Sequence, residues 1–339
     1  MMNISRRQFI KYCSIAAGAL GLNATDLMKI EKATAATGGL PVLWIAGQAC
    51  TGCTTSLANS VYYQTIQELL LLGQASNTLE LKVHETLMAA MSNEATQQTP
   101  AITNAPFALV VEGAITPTNG YCQIGSYAGA GSENMSDVVT ALAGHANCAA
   151  ILAVGTCAAF GGIPAAAGNI TGAKGVLAHL GLPYRKKIIN IPGCPPNPNW
   201  IVGTVAYLLA NGLKMPALDS LRRPRTYFGQ RICNTCDRFA ISKSGGQVGG
   251  FLGVSALSPM RVTQPDKIGD PLQNIPGGLC LKKAGCKGSR TKSDCSLRKW
   301  NSPGFGQVGV NWCVGAGAPC QGCTQNFFPD GMSPFHYIK

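Results

Sequence analysis

The sequence predicts an α/β protein in which a flavodoxin-like, doubly wound parallel sheet is followed by an irregular, cysteine-rich C-terminal domain. Three observations lead to this prediction. Short apolar segments alternate with helical periodicity over residues 40–216, which is typical of a parallel sheet with covering helices. After Pro216 this periodicity fades, and Gly, Pro and Cys dominate residues 217–339. Of the 15 cysteines in the 339-residue chain, all except Cys13 follow residue 35.

Residues 1–35 have the features of an export signal. The segment Ser5-Arg6-Arg7-Gln8-Phe9-Ile10-Lys11 is followed by a mildly apolar stretch over 12–22 and by the small-residue cleavage site Ala33-Thr34-Ala35. This pattern indicates a twin-arginine signal peptide, whose export route carries folded proteins. We therefore expect the mature chain in the periplasm or on the outer face of the cytoplasmic membrane. No other run of about 18 or more apolar residues occurs, so no membrane span is predicted in the mature chain.

Buried strands and helices are predicted to alternate along the first domain. The strands are expected at residues 41–46, 79–84, 107–111, 149–154 and 187–191, and the helices at 54–72, 136–145, 173–180 and 199–211. The strands are short and apolar throughout, as expected for strands that helices cover on both faces of a sheet. Segments that are distant in sequence are therefore expected to meet at the edges of one sheet.

Cysteines follow three of the predicted strands. Cys50 and Cys53 come after the first strand, Cys157 after the fourth and Cys194 after the fifth. In an open parallel sheet, ligands bind beyond the carboxyl ends of the strands, near the topological switch point. Three separate segments are thus predicted to converge on one site. This convergence is more specific than a single C-x-x-C pair, because zinc ribbons use two adjacent knuckles instead of the rim of a large sheet.

Three other side chains near the sheet are predicted to be structural. Cys122 is expected to be a free thiol beside the site. Cys148 opens the fourth strand at the opposite end of the sheet, where a buried core cysteine is expected. His84 ends the second strand without a recognisable catalytic partner, so a hydrogen-bonded structural role is favoured. No residue of this chain is predicted to be catalytic.

The C-terminal domain carries eight cysteines in spaced groups. They sort into Cys233, Cys236, Cys280 and Cys286, and into Cys295, Cys313, Cys320 and Cys323. Such thiolates hold zinc or iron–sulfur clusters, and cysteines of exported proteins also form disulfides. Clusters are favoured over disulfides because the chain is large and is exported folded. A structural zinc or disulfide protein without a redox role is the alternative.

Positive charge is concentrated in the C-terminal domain. The formal net charge is +12, and residues 220–300 hold 15 Lys and Arg against 4 Asp, which gives 15 − 4 = +11. Several of these cations are threaded between the cysteines, namely Lys282, Lys283, Lys287, Arg290, Lys292, Arg298 and Lys299. Aromatic residues are not interleaved with them, so no nucleic-acid partner is predicted. A solvated surface and a docking face for an acidic redox partner both stay open.

Several motifs resemble the small subunit of NiFe hydrogenases. They are Trp44-Ile45-Ala46-Gly47-Gln48-Ala49-Cys50-Thr51-Gly52-Cys53-Thr54, His84-Glu85-Thr86-Leu87-Met88-Ala89-Ala90, Val111-Glu112-Gly113 and the later cysteine groups, and the likeness continues to Pro334-Phe335. Essentially the whole chain is covered, whereas subunits of respiratory complex I share only the first half. The resemblance implies a proximal 4Fe-4S cluster on Cys50, Cys53, Cys157 and Cys194, facing a large subunit that holds nickel and iron.

The resemblance implies two further clusters, each with a departure from the common ligand pattern. The distal 4Fe-4S cluster would be held by Cys233, Cys236, Cys280 and Cys286, with Cys233 where many relatives have His. The middle cluster would be held by Cys295, Cys313, Cys320 and Cys323, with Cys313 where many relatives have Pro and 3Fe-4S. The fourth thiolate favours 4Fe-4S here, and 3Fe-4S is the alternative if Cys313 is free. Gly52 and Gly162 stand where oxygen-tolerant relatives carry two additional cysteines.

The function that this resemblance implies is electron transfer within a hydrogenase. The large subunit of such an enzyme splits or forms hydrogen. This chain would pass single electrons through the proximal, middle and distal clusters to an external redox partner such as a cytochrome. The iron–sulfur subunit of another oxidoreductase is the alternative.

Overall fold

The computed structural model describes residues 40–60, 79–87, 102–125, 132–239, 280–301 and 308–333. The predicted signal peptide lies outside the described residues, as does most of the helix predicted at 54–72. All cysteines of the three predicted sites lie within them.

A parallel sheet forms the centre of the first domain. The described strands are β1 Leu40–Ala46, β2 Leu79–His84, β3 Phe107–Glu112, β4 Gln123–Gly125, β5 Ser132–Asn134, β6 Cys148–Val154 and β7 Ile188–Ile191. Five of them form the sheet in the order β2-β1-β3-β6-β7, with every neighbouring pair parallel. This is the flavodoxin-like order, whose switch point lies between β1 and β3. The short strands β4 and β5 form a separate antiparallel pair.

Helices cover both faces of this sheet. In the described part of the first domain they are α1 Gly52–Ala58, α2 Met135–Gly144, α3 Gly155–Phe160, α4 Val176–Leu180 and α5 Pro198–Ala210. Alternate strand residues point to opposite faces. Trp44 and Val110 pack with α1 and α5 on one face, and Ile45 and Val111 pack with α2, α3 and α4 on the other. The predicted doubly wound α/β fold is confirmed.

The predicted strand limits agree with the structure to within a residue, but two helix predictions were wrong in extent. The helix predicted at 173–180 begins only at Val176, because Lys174 exchanges backbone hydrogen bonds with Ile115 in both directions. The helix predicted at 54–72 is not continuous, because α1 ends at Ala58. There the side chain of Asn59 donates to the carbonyl oxygen of Thr55 at 2.8 Å, in competition with the helical backbone.

The described residues of the C-terminal part are irregular, as predicted. They form the single-turn helices α6 Arg225–Phe228 and α7 Cys295–Arg298 and 3₁₀ turns at Ile232–Asn234, Leu281–Ala284, Gly288–Arg290 and Asp330–Met332. A small apolar cluster that includes Ile232, Leu281, Trp312 and Val314 packs among the cysteines. No helix in the described segments is both long and apolar enough to span a bilayer.

Buried polar contacts join the C-terminal part to the first domain. The indole Nε1 of Trp200, in α5, donates to Oδ1 of Asp294 at 2.7 Å. The other carboxylate oxygen of Asp294 forms an ion pair with Arg298 at 2.7 Å. Nδ2 of Asn197, in the first domain, donates to the carbonyl oxygen of Lys299 at 2.7 Å. These bonds fix the cysteine-rich turns against the domain that contains the sheet.

Candidate metal centres

The proximal group consists of Cys50, Cys53, Cys157 and Cys194. Cys50 and Cys53 lie between β1 and the first turn of α1, Cys157 lies in α3 directly after β6, and Cys194 follows β7. Burial raises the pKa of the Cys53 thiol far above its usual range, and Glu112 and the other three thiols raise it further. Burial also raises the pKa of Cys157 to about 11, with a contribution from Cys194. The structure thus brings the four predicted ligands together at the carboxyl edge of the sheet.

Two glycines keep side chains away from these thiols. Gly155 has a φ of +89°, and a Cβ atom there would lie 2.5 Å from Sγ of Cys53. Gly162 has a φ of +54°, and a Cβ atom there would lie 2.9 Å from Sγ of Cys157. Both backbone conformations favour glycine, and both contacts are too short for a carbon atom. A cysteine at position 162 therefore does not fit this backbone.

A buried carboxylate organises the loop between Cys50 and Cys53. Glu112 ends β3 and is 2% exposed. Its Oε1 accepts the N–H groups of Cys53 at 3.1 Å and Thr54 at 3.2 Å, which lie in the first turn of α1 where backbone donors lack helical partners. Its Oε2 accepts bonds from Nε1 of Trp44 at 3.0 Å and the hydroxyl of Thr54. Sequence reasoning missed this role, although an acidic residue at the end of a buried strand was the available signal.

His84 extends the same hydrogen-bond network and has the structural role that was predicted. Its Nδ1 accepts the N–H groups of Thr86 at 3.1 Å and Leu87 at 3.2 Å. Nε2 therefore carries the proton of the neutral ring and donates to the hydroxyl of Thr54 at 3.2 Å. Burial lowers the pKa of His84 to about 4. The ring stays neutral at physiological pH.

The distal group consists of Cys233, Cys236, Cys280 and Cys286, which lie on or beside short 3₁₀ turns. Burial raises the pKa of Cys233, and Cys286 and then Cys280 raise it further. Burial raises the pKa of Cys236 to about 11, and both Cys233 and Cys286 contribute in the same direction. A Cβ atom at Gly288 would lie 3.3 Å from Sγ of Cys233 and 3.6 Å from Sγ of Cys286, so these two sulfurs border the same glycine. The structure brings this predicted set together.

The middle group consists of Cys295, Cys313, Cys320 and Cys323. Burial raises the pKa of Cys295 well above its usual range, and Cys323 raises it further, whereas the hydroxyl of Ser293 donates to its Sγ at 3.0 Å and lowers it. Although Cys313 as a whole residue is exposed, burial of its thiol raises its pKa, and Cys286 of the distal group raises it further. Cys313 also raises the pKa of Cys323.

Hydrogen bonds connect the three groups in a fixed order. Burial raises the pKa of Cys323 to about 12, and the hydroxyl of Thr156, which directly precedes Cys157, donates to the carbonyl oxygen of Cys323. The N–H of Cys320 donates to Sγ of Cys286 at 3.3 Å. One hydrogen bond therefore links the proximal segment to the middle group, and another links the middle group to the distal group. The spatial order is proximal, middle, distal, although the distal cysteines precede the middle ones in sequence.

The chemistry of these donors fits iron–sulfur clusters. The grouped cysteines are free thiols, and crowded burial opposes their ionisation unless a cation compensates the charge. The N–H of Cys320 also donates to Sγ of Cys286, and hydrogen bonds to the sulfurs are common around protein-bound clusters. Among the described residues, no three or more His, Cys, Asp and Glu side chains are arranged to hold a single metal ion. The fit therefore rests on the burial of grouped thiols and on this N–H donor.

The remaining two cysteines differ in burial. Cys148 is 1% exposed and packs in the core beside α2, as predicted. Cys122 is half-buried and carries a free thiol. Burial raises its pKa, and Glu85 raises it further.

Comparison with protein families gives two matches along the chain. The family described as "NADH ubiquinone oxidoreductase, 20 Kd subunit" matches residues 50–208. The C-terminal family of the "NiFe/NiFeSe hydrogenase small subunit" matches residues 263–336. The first match covers the proximal group, and the second begins before Cys280 and covers the middle group.

Relatives and solved structures agree with these matches. The chain is 36% identical to the periplasmic [NiFeSe] hydrogenase small subunit of Desulfomicrobium baculatum over 100% of both sequences. It is 33% identical to the periplasmic [NiFe] hydrogenase small subunit 1 of Nitratidesulfovibrio vulgaris, over 98% of this chain and 93% of the relative. A reduced, active form of the Ni-Fe-Se hydrogenase from Desulfomicrobium baculatum aligns with a TM-score of 0.70 and 34% identity, covering 89% of this chain and 100% of the other. Since the likeness extends over the whole chain and includes its fold, this protein belongs to the family of NiFe and NiFeSe hydrogenase small subunits.

Proposed function

We propose that this chain relays electrons between a NiFe site on a separate large subunit and an external redox partner. One observation carries the proposal. The three groups of four thiols follow one another in a row: the hydroxyl of Thr156, beside Cys157, donates to the carbonyl oxygen of Cys323, and the N–H of Cys320 donates to Sγ of Cys286. Such a row suits single-electron steps between fixed centres. The printed names of its relatives, which are hydrogenase small subunits, support the same activity.

The proposal assigns one cluster to each group. The proximal 4Fe-4S cluster takes Cys50, Cys53, Cys157 and Cys194, and the distal 4Fe-4S cluster takes Cys233, Cys236, Cys280 and Cys286. The middle cluster takes Cys295, Cys313, Cys320 and Cys323. We favour 4Fe-4S for it because Cys313 supplies a fourth thiol. Cys313 raises the pKa of Cys323, and Cys286 raises the pKa of Cys313. A 3Fe-4S cluster is the alternative. The clusters supply reversible one-electron chemistry when bound.

The chain's own residues would hold and tune these centres. Glu112 fixes the loop of Cys53 through two backbone N–H groups. Ser293 donates a hydrogen bond to the sulfur of Cys295. Lys287 is 7% exposed and lowers the pKa of the adjacent Cys286. Hydrogen bonds and charges at the sulfurs are the means by which proteins set the potentials of such clusters.

Iron analysis tests the central proposal. The purified hydrogenase complex should contain iron and acid-labile sulfide in amounts that fill three clusters. It should absorb broadly in the visible range and bleach with dithionite. Zinc in place of iron, or disulfides in mature material, would support the structural alternative. Co-purification with a nickel-containing large subunit would separate a hydrogenase from another iron–sulfur oxidoreductase.

The type of the middle cluster has its own test. We expect the oxidised complex to lack a strong 3Fe-4S signal in electron paramagnetic resonance. Replacement of the fourth ligand, Cys313→Pro, should create this signal without changing those of the other clusters. A strong 3Fe-4S signal in the unmodified complex would contradict the role of Cys313. Cys148→Ser is the matched control, because that thiol is buried in the sheet core.

The external partner would dock through an acidic surface of its own. We propose that this surface binds to the cations of this chain that lie around the distal group. Four exposed side chains lie there: Arg231, Lys282, Arg290 and Lys292. Arg231 and Lys282 both lower the pKa of Cys233, which places their charge beside the last group in the row. Within the described segments, no ion pair to these four cations is found. By contrast, Lys287 is buried and Arg298 is paired with Asp294, so they do not contribute to a solvated surface.

Ionic strength tests this docking proposal. Electron transfer to an acidic acceptor protein should slow steeply as salt is added, because screening weakens attraction between exposed charges. Arg231→Glu should weaken the response, whereas Lys214→Glu, at an exposed site of the first domain, should not. A rate that does not change with salt would exclude this docking mode. A small viologen acceptor reports whether the internal relay is intact.

Export by the twin-arginine route to the periplasm is part of the proposal. It is supported by the Arg6-Arg7 motif of the N-terminal segment and by the periplasmic location in the names of two relatives. Folded export would allow cluster insertion before the membrane is crossed. Replacement of both arginines by lysine should retain the precursor in the cytoplasm. Fractionation followed by immunodetection measures this outcome.

A further inference from the structure

We propose that Thr156 is a positioning residue for electron transfer, whose hydroxyl fixes the junction between the proximal and middle groups. This inference rests on the function proposed above. Thr156 directly precedes Cys157 and is 1% exposed. It is not a predicted ligand, and no sequence motif singled it out. Its contacts nevertheless reach both sides of the junction.

The Thr156 hydroxyl uses both its donor and an acceptor site. Its Oγ1 donates to the carbonyl oxygen of Cys323, a member of the middle group. The same Oγ1 accepts the N–H of Gly193 at 2.9 Å, and the N–H of Thr156 donates to the carbonyl oxygen of Gly193 at 2.9 Å. A hydroxyl has one donor and two acceptor lone pairs, so one side chain can hold both segments.

These bonds join the segments that carry the two groups. Gly193 directly precedes Cys194, and the carbonyl oxygen that accepts the bond from Thr156 belongs to Cys323. Thr156 therefore holds the proximal segment through Gly193 and the middle-group residue through its carbonyl group. Its branched Cβ restricts the side-chain rotamer, which fixes the direction of the hydroxyl. The separation of the two groups is thus set by a side chain that binds neither cluster.

The junction between the middle and distal groups is held by similar hydrogen bonds, but their donors are backbone N–H groups. The N–H of Cys320 donates to Sγ of Cys286 at 3.3 Å. The N–H of Lys287 holds the carbonyl oxygen of Cys320 at 2.7 Å. Lys287 follows a distal cysteine in the chain, as Thr156 precedes a proximal one. In both cases a neighbour of one ligand binds the carbonyl group of a middle-group cysteine. Among the described residues, a side chain does this at the first junction and a backbone N–H does it at the second, so a substitution can remove the bond at the first junction.

Loss of this hydroxyl should weaken the connection without removing a ligand. Electron tunnelling falls steeply with separation, and hydrogen bonds to cluster sulfurs also influence their potentials. A Thr156→Val variant has nearly the same shape but lacks both hydrogen bonds of the side chain. Thr156→Ser retains them. Thr204→Val is a matched control, because Thr204 is also buried and donates to the carbonyl oxygen of Trp200 at 2.6 Å within α5.

The experiment uses the complete hydrogenase complex. It measures the iron content and the magnetic interaction between the reduced proximal and middle clusters. It also measures the rate at which hydrogen reduces the middle cluster. We expect Thr156→Val to keep its iron, to show a weaker or broadened interaction and to reduce the middle cluster several-fold more slowly. Thr156→Ser and Thr204→Val should match the unmodified complex. If Thr156→Val loses iron, Thr156→Ala serves instead, because it removes the hydroxyl without adding a second methyl group; we expect the same broadened interaction.

Two results would overturn the role of Thr156. One is an unchanged interaction and rate in an iron-replete Thr156→Val or Thr156→Ala complex. The other is an equal loss in Thr204→Val, which would indicate a general effect of removing a buried hydroxyl. A complex without clusters before any substitution would instead contradict the proposed function. The two failures are therefore distinguishable.

Discussion

The first domain and the C-terminal part hold their cysteines in different ways. The proximal thiols follow three strands of a sheet whose two faces are covered by extensive apolar cores. The distal and middle thiols lie on single turns around a small apolar cluster that includes the cysteines themselves. In the first domain the fold positions the ligands. In the C-terminal part we expect the bound clusters to position the fold.

Removal of the clusters should have the largest effect on this contrast. We expect the C-terminal part of the chain to unfold, because few apolar contacts and little regular structure remain there. The sheet should persist. Hydrogen exchange after chelation of iron would show rapid exchange after residue 280 and continued protection of β1, β3 and β6. Uniform protection, or uniform loss of protection, would remove the proposed difference between the two regions.

Disruption of the contact between the two regions should have the next largest effect. Asp294→Asn would leave Arg298 buried without its charged partner and would weaken the bond from Trp200. Breaking a buried ion pair in this way costs about 3–5 kcal/mol. Denaturant unfolding of the complex should show this loss, whereas Asp137→Asn at an exposed site should show almost none. A loss below about 1 kcal/mol would mean that the contact does not couple the regions.

Acidification tests a group that belongs to the first domain alone. His84 has its pKa lowered to about 4 by burial, so its neutral form stabilises the folded state above the usual histidine pKa. This contribution should decrease as the pH falls from about 6.5 to 4, and its full size is about 3 kcal/mol. His84→Gln cannot take up the proton, so its stability should fall less over this range. Thermal unfolding at each pH compares the two; parallel decreases would contradict the role of His84.

The smallest expected effect concerns a single sulfur of the C-terminal part. Ser293→Ala removes the hydroxyl that donates to Sγ of Cys295 and should cost about 0.5–1.5 kcal/mol. The midpoint potential of the middle cluster should become more negative, because fewer hydrogen bonds stabilise its reduced form. Potentiometric titration should show no change for the proximal cluster. Ser56→Ala, which loses a buried bond to the carbonyl oxygen of Pro196, should leave both potentials unchanged.

The strands and the grouping of thiols could be predicted because each depends on a local pattern. Apolar runs of suitable length fixed β3 and β6 to within a residue. The placement of Cys157 and Cys194 after strands then followed from the geometry of parallel sheets. The distal and middle sets depended on family resemblance, since spacing alone does not determine which thiols share a site.

The contacts that were missed are tertiary. Glu112 meets the N–H of Cys53 across 59 residues of sequence, and Thr156 meets the carbonyl group of Cys323 across 167. Residue types alone do not indicate such pairs. The early end of α1 was missed for another reason, because apolar periodicity continues past Asn59 while its amide bonds to the backbone of Thr55.

The spatial order of the three groups has a consequence for biosynthesis. A ribosome completes the cysteines of the first end of the row with Cys194 and those of the opposite end with Cys286, but it adds Cys323, between them, last of all. A truncated product that stops after residue 300 would therefore contain all the thiols proposed for the two outer clusters but only Cys295 of the middle group. With the clusters held as proposed, such a product would lack the electron path between its two ends.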